Sequence, residues 1–317
     1  MPQDLDPLPA PTSIEAKAWT YLAQARAGNT QKAYRSDWRH FEAWCQAQGR
    51  EALPASPETL ARYLTEMADT FSTGTLARRL SALAAAHAAA GFESPGTSPL
   101  VRTLLRGIRR TKGVRPKAKR PLLVNDLESA LELMPDSPAG LRDSAVLLTG
   151  FAGAFRRSEL VGLNWEDLEF REEGAKITIR RSKTDQEGAG RILGIPRSGR
   201  VKLCPVRALE RWRAVSGYGE GAVFRAVAPD GSTGKSRLSD RMVARIVQRW
   251  MGRAGREADS YGAHSLRSGL ATEAARGGAS ERSIMRQTGH RSTVMVRRYI
   301  QEATVFEENA VFSTGLK

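Results

Sequence analysis

Cysteine is nearly absent: 317 residues hold only Cys45 and Cys204. Two thiols cannot form a multi-disulfide framework, and no metal-ligand spacing surrounds either. Cys45 follows Trp44 on an apolar helical face and Cys204 precedes Pro205, so both read as buried thiols in a reducing interior. Long apolar runs are missing as well. No stretch is long enough to span a bilayer, and the opening residues do not read as a secretory leader. The chain has no Walker-type loop for a nucleotide and no acidic cluster for a metal ion. Acid is scarce: 34 Asp and Glu stand against 49 Lys and Arg, a formal net charge of +15. That excess fits a polyanionic partner, although a basic protein without one would carry it equally. The cations are spread along the whole chain, which argues against a membrane-surface role.

Hydrophobic residues make up 41% of the chain, enough for two domains of ordinary size. Residues 1–12 are acidic and proline-rich and read as a disordered tail. From 13 to 112 the pattern is helical throughout. Tyr34, Trp38, Phe41 and Cys45 form one stripe, whose regular period assigns it to a core and not to base stacking. Leu60, Leu64 and Met67 follow the start signal Ser56-Pro57-Glu58. A third helix opens near Thr73, carries Leu76, Leu80, Leu83 and His87, and stops at Gly91. Arg78 and Arg79 are expected on its opposite face, where they could enter a major groove. A fourth helix runs from Pro99 with Leu100, Leu104 and Ile108 inward. Arg102, Arg106, Arg109, Arg110 and Lys112 point away from that stripe or flank it. Residues 113–121 form a linker that holds Lys117, Lys119 and Arg120 and no acid. A solvated segment and a strap along a phosphate backbone both fit it. The strap is favoured because it joins two domains of a basic protein.

The second domain spans 122–317. Asn125-Asp126-Leu127-Glu128 reads as a helix start. Helices are expected at Gly140–Phe155, Ser158–Leu163, Val206–Val215, Ser239–Met251, Leu266–Gly277, Glu281–Thr288 and Thr293–Tyr299. Lys176–Arg180 and Arg191–Pro196 alternate like the two strands of a hairpin. The predicted fold is mainly α: a helical N-terminal domain, then a mixed, mostly helical domain with a small antiparallel β-sheet. No internal repeat is present.

Five separated pieces carry chemistry. Arg156 and Glu159 lie one turn apart. An arginine fork can hold two phosphate oxygens, and the acid could orient it; a surface ion pair would look the same. Lys183 falls in the predicted turn, where it could protonate a leaving oxygen, with Arg180 and Arg181 as competitors. His264 and Arg267 share one helical face. His290 follows Gly289 at a helix boundary. Tyr299 follows Arg297 and Arg298; its phenol, which ionises near ~10 in water, needs a cationic pocket to act as a nucleophile. Each piece alone also reads as structural. Together they describe a site for phosphoryl transfer, where cations neutralise a phosphate that gains charge in its transition state.

This order of residues resembles the tyrosine recombinase (phage integrase) family over essentially the whole chain after the tail. Arg156, Lys183, His264, Arg267 and His290 match the family's catalytic basic residues, Glu159 its acidic helper, and Tyr299 its nucleophile at the usual spacing from His290. Thr75 to Gly91, Val101 to Arg110 and Leu238 to Arg241 are similar to the Cre-like members. One departure is His290, where Cre has tryptophan. The resemblance implies an N-terminal core-binding domain and a catalytic domain that clamp double-stranded DNA. It implies a 3′-phosphotyrosine intermediate, inverted-repeat sites and a homotetramer on DNA formed from monomers or weak oligomers. It further implies no cofactor, no metal, no membrane, and a cytoplasmic, nucleoid-associated enzyme. Arg241 would read guanine, and residues 303–312 would pack on a neighbouring subunit or fold back on their own domain. A type IB topoisomerase, a telomere resolvase and a catalytically silent DNA-binding relative remain as alternatives.

Overall fold

A computed structural model describes residues 28–113, 119–180, 190–290, 292–303, 305 and 310–314. The expected tail, Lys117, Lys183, Arg181 and most of the C-terminal segment lie outside the described residues. The chain divides into two compact units at the junction of residues 118 and 119.

The first unit contains α1 (Gly28–Ala47), α2 (Pro57–Thr70), α3 (Thr73–Ala89) and α4 (Pro99–Lys112). Serine begins the last three. Ser56, Ser72 and Ser98 each accept a backbone N–H of the first turn, satisfying a donor that the helix leaves unpaired. The apolar stripes of α1–α3 meet around Phe41, Leu60, Tyr63, Leu64, Leu76 and Leu83. His87 belongs to this core: its Nε2 accepts the Ala55 N–H at 3.0 Å and its Nδ1 contacts the Leu83 carbonyl at 2.9 Å. The stripe of α4 is shifted by one residue from the sequence expectation. Val101 and Leu105 are buried, Leu104 and Ile108 flank them, and Leu100 stays 48% exposed. One residue is a 100° rotation, and both phases carry apolar side chains, so periodicity did not separate them.

The second unit contains α5 (Val124–Glu132), α6 (Pro138–Ala152) and α7 (Arg157–Gly162). It continues with β1 (Leu168–Phe170), β2 (Gly174–Ile179), β3 (Arg191–Pro196) and α8 (Pro205–Ser216). A two-stranded ribbon, β4 (Arg225–Val227) with β5 (Thr233–Arg237), precedes α9 (Asp240–Arg253). Then come α10 (Ala263–Arg276), α11 (Glu281–Thr288) and α12 (Thr293–Ala303). β1, β2 and β3 form one antiparallel sheet in that order, with Ile177 opposite Leu193. The sheet is larger than the expected hairpin by β1, and the ribbon is additional. These strands are only three to five residues long, too short to show a period of two. Ile177, Ile179, Leu193 and Ile195 turn inward and join a core with Leu147, Phe155, Trp212, Phe224, Trp250 and Leu266. Each fully buried side chain of this size contributes on the order of 1.5–3 kcal/mol. Among the described residues no helix is long and apolar enough to cross a membrane.

Candidate active site

The site lies within the second unit and is assembled from four segments. The first is the turn after α6. That helix ends at Ala152, before the expected Phe155, because Ala154 takes a left-handed φ of 46° and redirects the chain. Arg156 then becomes the N-cap residue of α7. Glu159 fixes it twice: one carboxylate oxygen accepts the Arg156 backbone N–H at 3.0 Å, the other its Nη1–H at 2.6 Å. The Glu159 side chain is 1% exposed and that of Arg156 is 19% exposed, so this is not the weak surface pair that the spacing alone allows.

The second segment is α10. Ser265 Oγ accepts the Gly262 N–H at 3.0 Å and caps the helix, which sets His264 and Arg267 one turn apart. Arg267 is almost fully buried, and its Nη1 donates to the Ala154 carbonyl at 2.7 Å. Leu122 pairs with the same helix through its N–H and the Ser265 carbonyl at 2.9 Å. The approach needs glycine at 269, where a Cβ would lie 1.9 Å from the Leu122 carbonyl oxygen.

The third segment is the end of α11. Gly289 terminates the helix with a left-handed φ of 65°, and His290 follows with its Nδ1 at 2.8 Å from Thr288 Oγ. The fourth is α12, which brings the Tyr299 hydroxyl to 3.2 Å from His264 Nε2. Tyr299 is largely buried against Ala271, Ala275, Ile284 and Val296. The His290 and Tyr299 rings are 6.2 Å apart, centre to centre.

Sequence reasoning missed Arg191. It opens β3, and its Nη1 donates to the Gln287 and Arg286 carbonyls at 3.0 and 3.3 Å, at the C-terminal end of α11. Its Nη2 lies 3.8 Å from Glu159, and its guanidinium packs on Gly289, where a Cβ would come within 3.0 Å. A signal was available. Arg191 is in phase with Leu193 and Ile195, the inward positions of the strand.

The electrostatics follow from crowding cations in a poorly hydrated place. Burial, then Arg156, pushes Arg267 down to about 10. Burial, then Arg267 and Arg156, lowers His264, although the residue keeps exposed surface. Burial, then the same arginines, then His264 and Arg191, pushes His290 down to about 4. Both imidazoles are therefore neutral near pH 7. The pocket is short of negative charge, and an entering anion relieves it.

The expected nucleic-acid contacts divide. Arg78 is exposed on α3 and pairs with the buried Asp37 at 2.5 Å. Arg79 does not share that face. It is 6% exposed, lies over the Phe71 ring at 4.1 Å, and donates to the Tyr63 hydroxyl. The i,i+1 step of about 100° turns it into the unit, where Asp37 and aromatic faces receive its charge. Arg110, Lys112, Lys119, Arg120 and Arg241 are exposed. Lys112 reaches the Phe71 carbonyl at 3.4 Å, and Lys119 reaches that of Asp259. Arg180 pairs with Asp167 at 2.5 Å, beside Glu159 along one shared cavity wall.

A model of the phage integrase family matches residues 120–305, and one of the phage integrase N-terminal SAM-like domain matches 17–91. The integrase/recombinase xerD homolog of Selenomonas ruminantium is 41% identical over 302 residues, covering 94% of this chain and 89% of that one. The recombinase cre of Escherichia phage P1 is 27% identical over 299 residues, covering 88% and 85%. Among solved structures, the Tn1549 transposon integrase with transposon right end DNA aligns with a TM-score of 0.61 at 18% identity, covering 95% and 98%. A lambda integrase dimer bound to a COC′ core site also gives 0.61, at 17% identity, covering 93% and 96%. The chain belongs to the phage integrase family of tyrosine recombinases.

Proposed function

We propose that the protein is a site-specific DNA recombinase that cuts and rejoins strands through a 3′-phosphotyrosine. The observation that carries this reading is the Tyr299 hydroxyl at 3.2 Å from His264 Nε2, in the pocket that Arg156 and Arg267 charge. His264, held neutral, takes the phenolic proton as Tyr299 Oη bonds to the scissile phosphorus. The bond to the 5′ oxygen breaks, and Lys183 protonates that oxygen. Arg156 and Arg267 stabilise the five-coordinate phosphate, and His290 serves one of its oxygens. A 5′-hydroxyl from a partner strand then reverses the attack. Bond energy stays in the phosphotyrosine, so neither ATP nor a metal ion enters the scheme.

Residues 13–112 act as the core-binding domain, 113–121 as a basic strap and 122–317 as the catalytic domain. Arg78, Arg110, Lys112, Lys117, Lys119, Arg120 and Arg241 contact the duplex, with Arg241 reading a base. Paired inverted-repeat arms bring four protomers together.

The test is covalent capture. The protein is mixed with its source genome without ATP or metal and denatured in detergent, and DNA still attached is sequenced. Adducts at a few inverted-repeat sites, lost in Tyr299→Phe, are expected. Scattered adducts would point to a topoisomerase, and binding without adducts would overturn strand transfer.

A further inference from the structure

Thr288 is fully buried at the last position of α11, and its single hydroxyl lies within reach of three partners, the farthest the Met285 carbonyl oxygen at 3.5 Å. Oγ is 2.7 Å from the Ile284 carbonyl oxygen and 2.8 Å from His290 Nδ1. A carbonyl only accepts, so the one hydroxyl proton is committed to Ile284, the usual back-bond of a helical threonine. Turning that proton toward His290 would leave two oxygens 2.7 Å apart with no hydrogen between them. Thr288 Oγ must therefore accept, and the hydrogen between it and His290 belongs to Nδ1.

We infer that Thr288 is a positioning residue that fixes His290 as the Nδ1–H tautomer and leaves a lone pair on Nε2. A neutral ring in this tautomer cannot donate from Nε2 to a phosphate oxygen. To donate there it must first take a proton from solvent and become an imidazolium. The Tyr299 ring on α12 faces His290 at 6.2 Å, and the cost is set by Arg267 and His264 on α10, Arg156 at the start of α7, and Arg191 on β3. All of them disfavour the second proton, as does burial. A phosphate in the pocket favours it, since an adjacent anion stabilises the charged ring. Thr288 thereby couples protonation of His290 to occupancy of the site. The tautomer assignment needs only the hydrogen bonds; the coupling rests on the strand-transfer reading.

The tautomer is read by nitrogen NMR of histidine-labelled full-length protein without DNA. Wild-type His290 should show a protonated Nδ1 and a pyridine-like Nε2 above pH 6. Thr288→Val, which keeps the shape and removes the acceptor, should shift His290 toward Nε2–H. Thr288→Ser should restore the wild-type pattern. A protonated Nε2 in neutral wild-type His290, or a pattern unchanged in Thr288→Val, would overturn the inference.

Cleavage of the source-genome DNA used for capture gives the second readout. In wild type the rate should fall as pH rises from 6.5 to 8.5, because the imidazolium is lost. In Thr288→Val the ratio of rates at those two values should move toward one. A purely structural threonine would lower the rate by the same factor at every pH, and that result would overturn the coupling. A wild type without adducts would instead sink the strand-transfer reading and leave the NMR result to decide the tautomer.

Discussion

Arg267 Nη1 donates to the carbonyl oxygen of Ala154, a residue whose φ is 46° and which precedes Arg156 by two positions. One backbone group in an uncommon conformation thus aims both arginines of the site. A β-branched side chain resists that conformation. Ala154→Val should destabilise the protein by about 2 kcal/mol in urea unfolding and slow single-turnover cleavage. Ala154→Gly should change stability by less than about 1 kcal/mol and preserve cleavage.

Arg156 has its carboxylate partner already and does not hold the fold together alone. Arg156→Ala should slow cleavage on the order of 10²–10³-fold, the usual cost of removing one transition-state donor, and alter DNA affinity only a few-fold. Equal losses in both measurements would remove its transition-state role.

Arg191 ties Glu159, β3 and the α11 carbonyls to one guanidinium. Arg191→Met should slow cleavage at saturating DNA about 10-fold or more, since small misplacements of reacting groups are expensive. Arg191→Lys retains the charge but cannot span both sides, so it should recover only part of the rate. Full recovery with lysine would reduce the role of Arg191 to charge.

Acid should weaken the fold through His290. The unfolded ring titrates near 6.5, whereas burial and the arginines hold the folded ring near 4. Between those values the unfolded chain binds a proton that the folded chain does not. Stability is therefore lost as pH falls from about 6.5 toward 4, and is flat above. The half-buried, screened ring contributes roughly 1–3 kcal/mol to this loss. Urea midpoints against pH should show the component in wild type and its reduction in His290→Asn.

Neighbouring arginines on α3 should fail differently. Arg79→Ala leaves Asp37 buried without its inner partner and should cost about 3 kcal/mol of stability. Arg78→Ala removes the closer cation from the buried Asp37, so it should cost about 1–2 kcal/mol of stability, and it should also weaken DNA binding with a shallower salt dependence. The reverse pattern would exchange their roles.

Local signals were legible in the sequence. Serine at 56, 72 and 98 marked helix starts, and β3 was bounded at both ends by its alternation. The spacing of His264 and Arg267 predicted a shared face. What was not legible depends on contacts distant in sequence. Arg79 and Arg78 look alike until Asp37 and Phe71 arrive from other helices. Arg191 looks like a strand end until α11 offers its carbonyls. Ala154 gave no hint of a left-handed turn, because alanine has no preference for one and tertiary packing imposes it.

Tyr299 rests on a small apolar patch with Ala271, Ala275, Ile284 and Val296, distinct from the large core beneath the arginines. Detaching α12 uncovers those few side chains and leaves Arg156, Glu159 and the bulk of the unit intact. In the proposed reaction the nucleophile sits on a segment whose detachment uncovers less apolar surface than global unfolding does. The fraction of molecules armed for attack is then set by a local equilibrium. A single methyl group added or removed at Ala271 or Ala275 would tune that fraction without touching any residue that handles the phosphate.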